Sequence, residues 1–137
     1  MTDDRVRKVR TLLETVRAEG RTALTAPEGK LIADAYHIAV PGEELARDVE
    51  EAVRYAARFS GPMVMKIVSP DILHKTDAGG VIVGIEGATA VREAFRTIVK
   101  NARAYDAQAR IEGVQVQELL PSGQEVIVGA VTDPTFG

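Results

Sequence analysis

From Val6 to Phe59 the apolar residues recur at helical spacing, and after that they gather into strand-length runs. Val6, Val9, Leu12, Leu13 and Val16 predict a first helix, with Asp3 or Asp4 placed to cap it and Gly20 to stop it. Thr25-Ala26-Pro27-Glu28 has the form of a capping box, in which each end residue satisfies the other's backbone N–H. It predicts a short helix that buries Leu31, Ile32 and Ala35 and ends before Val40-Pro41-Gly42. A third helix is expected to carry Leu45, Val49, Ala52, Val53, Ala56 and Phe59 on one face. The period changes after Ser60-Gly61-Pro62. Met63–Val68 and Val81–Ile85 read as strands, flanking the polar loop Ser69–Gly80. A helix after Thr89 buries Val91, Phe95, Ile98, Val99 and Ala102. Val114–Leu119 and Glu125–Val131 read as two further strands, paired as a hairpin about the turn Pro121-Ser122-Gly123. Strands gathered with one intervening helix predict an α+β fold, a mostly antiparallel four-stranded sheet with helices packed on it.

Composition narrows the function. The chain has 137 residues, enough for one core that buries roughly two-thirds of the unfolded surface. Seventeen Lys and Arg face 20 Asp and Glu, so no cationic excess is available to bind nucleic acid. The absence of cysteine removes disulfides, thiolate metal sites and cysteine nucleophiles, and fits a cytoplasmic protein. The charged start MTDDRVRKVR lacks the apolar core of a signal peptide. No apolar run approaches the ~20 residues of a membrane span, so no membrane association is expected.

A few residues could carry chemistry. Lys66 interrupts an apolar strand, and its ammonium must reach water, a carboxylate or a bound anion. A lysine extending to water from the open face of a half-buried sheet satisfies the same requirement. The loop ending in Gly79-Gly80 permits close backbone approach to phosphate oxygens, or is an ordinary flexible connection. An imidazole can act in its neutral form as nucleophile or base, so His74 within that loop is a candidate for either role, or is a solvated surface residue. His37 lies near a helix end with nothing chemical around it. Glu118 and Glu125 flank the hairpin turn, where a carboxylate can hold a ribose hydroxyl pair or simply be exposed. No Walker A, GxGxxG, HExxH or Ser/His/Asp pattern is present, and no metal ligands are assigned.

The string Lys66-Ile67-Val68-Ser69-Pro70-Asp71-Ile72-Leu73-His74-Lys75-Thr76-Asp77-Ala78-Gly79-Gly80-Val81 resembles a signature of the ADP-forming acyl-CoA synthetases, in their ATP-grasp (β) subunit or domain. Ala109–Val116, Glu125–Gly129 and Asp133–Gly137 match in order and spacing, and Leu24–Pro41 is similar to the family's opening segment. The resemblance implies an N-terminal helix or extension over 1–20 and the first half of an ATP-grasp domain over 21–137, stopping before that domain is complete. It implies that Lys66 contacts nucleotide phosphates and that Gly79 and Gly80 form a flexible phosphate-covering loop. The backbone of Gln117, Glu118 and Leu120 would meet the adenine edge, and Glu125, or Glu118 in its place, would hold the ribose. His74 would take a phosphoryl group and pass it to ADP, in the reaction acyl-CoA + ADP + phosphate ⇌ acid + CoA + ATP. ATP or ADP with Mg²⁺ is the implied ligand, with the metal carboxylates expected in the missing C-terminal half. A CoA-binding (α) subunit or domain is the implied partner and would bring acyl-CoA and phosphate. Two other readings stand beside this one: a non-catalytic ATP-grasp-like regulatory module of an acetyltransferase-type protein, and an inert fragment that self-associates through its truncated face.

Overall fold

This computed structural model describes residues 3–136. Helix α1 (Asp4–Ala18) is capped by Asp3, whose carboxylate accepts from the Arg5 N–H at 3.1 Å. Helix α2 (Ala26–Ala35) follows Thr25, and the Glu28 carboxylate reaches back to accept from the Thr25 N–H at 2.7 Å. The same carboxylate takes two hydrogen bonds from Arg21, at 2.9 and 2.7 Å, so an ion pair fixes the connection between the two helices. Burial of α2 departs from expectation. Leu31 is 59 % exposed and no residue of this helix is fully buried, because its main neighbour is α1 rather than the sheet. The helix closes with His37 in the left-handed region (φ 57°), its N–H donating to Asp34 O, while the Ile38 N–H donates to Ala33 O. His37 therefore has a local structural place.

Four strands form one sheet in the order β1-β4-β2-β3: β1 (Glu43–Ala46), β2 (Met63–Val68), β3 (Val81–Ile85) and β4 (Gly113–Glu118). All neighbours are antiparallel, as the α+β reading requires. Helix α3 (Val49–Ala56) joins β1 to β2, and α4 (Ala88–Tyr105) joins β3 to β4. Each crossover passes one intervening strand. The core lies between these helices and one face of the sheet, where Met63, Met65, Ile67, Val114 and Val116 meet Ala52, Val91, Phe95, Ile98 and Ala102. Alternation along the strands sends Val64 and Lys66, with Gln115 and Gln117, to the opposite face.

Two expectations fail here, for one reason. The fourth strand is Glu43–Ala46, not Glu125–Val131, and the expected hairpin does not form. β4 is a central strand with β1 on one side and β2 on the other, so neither edge is left for a hairpin partner. The third helix correspondingly starts late. Asp48 Oδ1 accepts from the Glu51 N–H at 2.8 Å, and Glu51 Oε2 accepts from the Arg47 N–H at 2.8 Å. That cap starts α3 at Val49 and frees the preceding residues to pair with β4.

Candidate nucleotide site

Lys66 stands on β2 with Val81 of β3 on one side and Gln115 of β4 on the other. Met63, Met65 and Ile67 in the apolar run around it face the core. The lysine points to the opposite face, between the buried Val64 and Val68, where its Nζ donates to Gln117 Oε1 at 3.1 Å. A neutral amide thus holds the ammonium, and among the described residues Lys66 forms no salt bridge. Lys75 is likewise unbridged there. Burial, and then the Lys66 charge, push its ammonium pKa below the ordinary value. The sequence reading did not single out Lys75, which was hidden among the charges around His74. Across β4, burial raises the pKa of the Glu43 carboxyl, against the opposing charges of Lys30 and Lys66.

Beside Lys66 runs an open groove of about 450 Å³, within the size range of small-molecule sites. It brings together Lys66, Gln117, Glu118, Leu120 and Glu125, with Val64 as apolar floor. A cleft of similar size between α3 and the start of α4 is lined mainly by Val53, Ala56, Phe59 and Met63 and offers no cation. The two glutamates differ. Glu118 Oε1 accepts from the Gly42 N–H at 2.7 Å, so that carboxylate already holds the approach to β1. Glu125 is exposed, and its carboxylate accepts no hydrogen bond among the described residues. The Leu119 N–H donates to Pro62 O at 3.2 Å, the last backbone tie between this segment and the sheet.

His74, Gly79 and Gly80 lie outside the lining of that groove. Their loop is tied to its surroundings at several points in this structure. Ile72 and Ala78 are buried on either side of the exposed His74. Asp71 Oδ2 accepts from the Arg110 N–H at 2.6 Å. Gly80 is buried, with its N–H on Lys75 O at 2.7 Å and its carbonyl accepting from the Ile67 N–H at 2.7 Å. A Cβ on Gly80 would stand 2.5 Å from Ile67 Cγ2, and one on Gly79 2.7 Å from Asn101 Nδ2. These glycines serve close packing, with Gly79 also in the left-handed region (φ +62°).

Among the described residues no group of three or more His, Asp or Glu side chains converges to hold a metal ion, and no helix is long and apolar enough to cross a membrane.

A four-stranded antiparallel sheet with its main core on one face, and an unbridged lysine beside an open groove on the other, defines an α+β domain. The chain belongs to the ATP-grasp domain family, which matches residues 15–137. It is 50 % identical over 134 residues to the acetate–CoA ligase [ADP-forming] I subunit beta of Pyrococcus furiosus, covering 98 % of this chain and 57 % of that subunit. Two solved structures are of the dinucleotide-forming acetyl-coenzyme A synthetase 1 of Ca. Korarchaeum cryptofilum. In the complex with coenzyme A, Ca-AMPCP and HgCl+, identity is 41 % and the TM-score 0.85, over 93 % of this chain and 56 % of that one. In the complex with coenzyme A and Mg-AMPPCP, a phosphohistidine segment points towards the nucleotide binding site; there identity is 37 % and the TM-score 0.71, over 94 % and 53 % of the two chains. The chain therefore spans little more than half the length of these relatives.

Proposed function

We propose that this chain is the nucleotide-binding part of an ADP-forming acyl-CoA synthetase, which converts acyl-CoA, ADP and phosphate into acid, CoA and ATP. The observation that carries the reading is the Lys66 ammonium, held by the neutral Gln117 amide at the head of a nucleotide-sized groove. Phosphoryl transfer depends on aligned oxygens and neutralised charge, which an unbridged lysine supplies. In this reading Lys66 and Lys75 meet the phosphates, and the backbone from Gln117 to Leu120 meets the adenine edge. Glu125 takes the ribose, since Glu118 is engaged with Gly42. His74 accepts the phosphoryl group from a phosphohistidine of a CoA-binding partner subunit: the donor N–P bond breaks as the N–P bond to His74 forms, and the donor imidazole is released. His74 then passes the group to ADP: the N–P bond breaks, an O–P bond forms to the terminal ADP oxygen, and neutral imidazole returns. Gly79 and Gly80 shape the loop that presents His74. Mg²⁺ travels with the nucleotide phosphates, and no side chain of this chain is given a metal-ligand role. Most of α1 is an extension ahead of the ATP-grasp unit, whose family match begins at residue 15, and the compartment is the cytoplasm.

Calorimetry with Mg-ADP and Mg-ATP tests the site. Saturable binding is expected, weakened about tenfold or more in Lys66→Ala, the loss of one charge-assisted phosphate contact. Binding that survives Lys66→Ala unchanged removes the phosphate assignment. If the unaltered chain binds neither nucleotide, it holds no working site on its own. A second reading, self-association, draws on the exposed Val126, Ile127, Val128 and Val131. Sedimentation that stays monomeric at high concentration would remove it.

A further inference from the structure

We propose that Asn101 is a positioning residue for the His74 loop, clamping its exit onto α4. The functional half of this inference rests on the relay reading of His74; the structural half stands on geometry alone. Asn101 lies near the end of α4 between the buried Ile98 and Ala102, and its Nδ2 donates to Gly79 O at 3.0 Å. Its amide fills the space a side chain at position 79 would need, since a Cβ there would lie 2.7 Å from Nδ2 and 3.2 Å from Cγ. Asparagine is a poor helix former, because its amide competes for backbone partners. Here that amide is spent across 22 positions of sequence on a carbonyl that the left-handed backbone of Gly79 turns towards the helix.

The clamp acts on His74 through the turn it closes. The N–H groups of Ala78, Gly79 and Gly80 donate to the carbonyls of His74, Thr76 and Lys75, at 3.2, 3.0 and 2.7 Å. The backbone of His74 is therefore one of the acceptors of the turn. Ile72, buried in the core, holds the other side. The imidazole is thus offered from a short span fixed at both ends, and in-line phosphoryl transfer is sensitive to displacements of about 1 Å.

Asn101→Asp keeps the shape and replaces the donor with an acceptor that repels the Gly79 carbonyl; Asn101→Ala removes the amide altogether. In either variant of this chain, amide hydrogen exchange at Ala78, Gly79 and Gly80 is expected to rise about tenfold or more, with exchange in β4 unchanged. Unchanged exchange at those three amides in both variants overturns the clamp. In the assembled ligase, single-turnover phosphoryl transfer is expected to slow about tenfold at an unaltered KM for ADP. Faster exchange with an unaltered transfer rate overturns the positioning role. His74→Asn separates the two readings. Full turnover in that variant overturns the relay, and the kinetic half of the proposal with it, while the exchange result still decides the clamp.

Discussion

Two segments leave the sheet without becoming helix or strand, and the sheet holds them very differently. Residues 69–80 are polar, yet Ile72, Ala78 and Gly80 are buried and the backbone is closed by hydrogen bonds at both ends. Residues 119–136 are richer in β-branched side chains, yet Val126, Ile127 and Val128 are 79, 100 and 93 % exposed. The difference lies in what each segment meets. The first returns between β2 and α4, where Ile67 and Asn101 offer partners for its backbone. The second leaves a central strand whose neighbours are already in place. Apolar content creates a demand for burial, but order follows from a surface and backbone partners to meet it.

Between the two segments, the larger expected effect tests how firmly the first is held. In Gly80→Ala the new Cβ would meet Ile67 Cγ2 at 2.5 Å and the Lys75 carbonyl oxygen at 3.0 Å. One of those atoms is backbone already committed to a hydrogen bond, so relief requires moving the turn. Overpacking of this kind costs up to about 3 kcal/mol, read as a lower urea midpoint. A loss under about 0.5 kcal/mol, the size of an ordinary surface change, would mean that the loop yields and the contrast between the two segments is overdrawn.

The connection between α1 and α2 sharpens the contrast, because it is also polar and ordered but is held by charge. Hydrogen bonds from the Arg21 guanidinium hold the Glu28 carboxyl down to about 2, against an opposing effect of burial. A carboxyl whose folded pKa lies below its unfolded value contributes stability that is complete above the unfolded value. It loses that contribution as pH falls through the folded one. The chain is therefore expected to lose roughly 2 kcal/mol between pH 5 and about pH 2, allowing for the part of the side chain still open to water. Denaturant midpoints measured across that range check it. Glu28→Gln should flatten this component of the profile. A variant whose acid sensitivity matches the parent's would assign the loss to other carboxylates.

What the sequence discloses follows the range of the interactions. Lys66 among apolar neighbours, the spacing of α4 and the strands β2 and β3 are local patterns, and all were legible. β1 was not, because Leu45 and Val49 stand four apart and mimic a continuing helix face. Asp48 and Glu51 were the available signal, a cap that stops the helix from reaching back. The hairpin failed on topology: the place of Glu125–Val131 beside β4 belongs to strands that precede it in the chain. The packing role of the glycine pair was not legible for a related reason. Its packing against Ile67 and Asn101 joins residues far apart in sequence, and a Gly-Gly dipeptide does not distinguish a hinge from a close approach. In the site, the groove gathers five of the expected residues, whereas Lys75 and Asn101 emerged only from their three-dimensional neighbours.

The smallest expected effect is the most direct test of the exposed segment. Ile127 is 100 % exposed, so Ile127→Ser removes no buried area and is expected to change stability by less than about 0.5 kcal/mol. The same exchange at a core isoleucine such as Ile98 removes a fully buried side chain and should cost several times more, about 2–4 kcal/mol. Paired urea titrations of the two variants therefore measure the contrast between apolar residues that have found a surface and those that have not. A loss above about 1 kcal/mol for Ile127→Ser would break the comparison, because burial that this fold does not provide must then come from another chain. The concentration dependence of the melting temperature would identify that chain: a rise with protein concentration means a second copy covers the segment, since association stabilises by mass action. An unchanging melting temperature together with a small loss would leave 125–131 as a strand-forming sequence with no strand beside it.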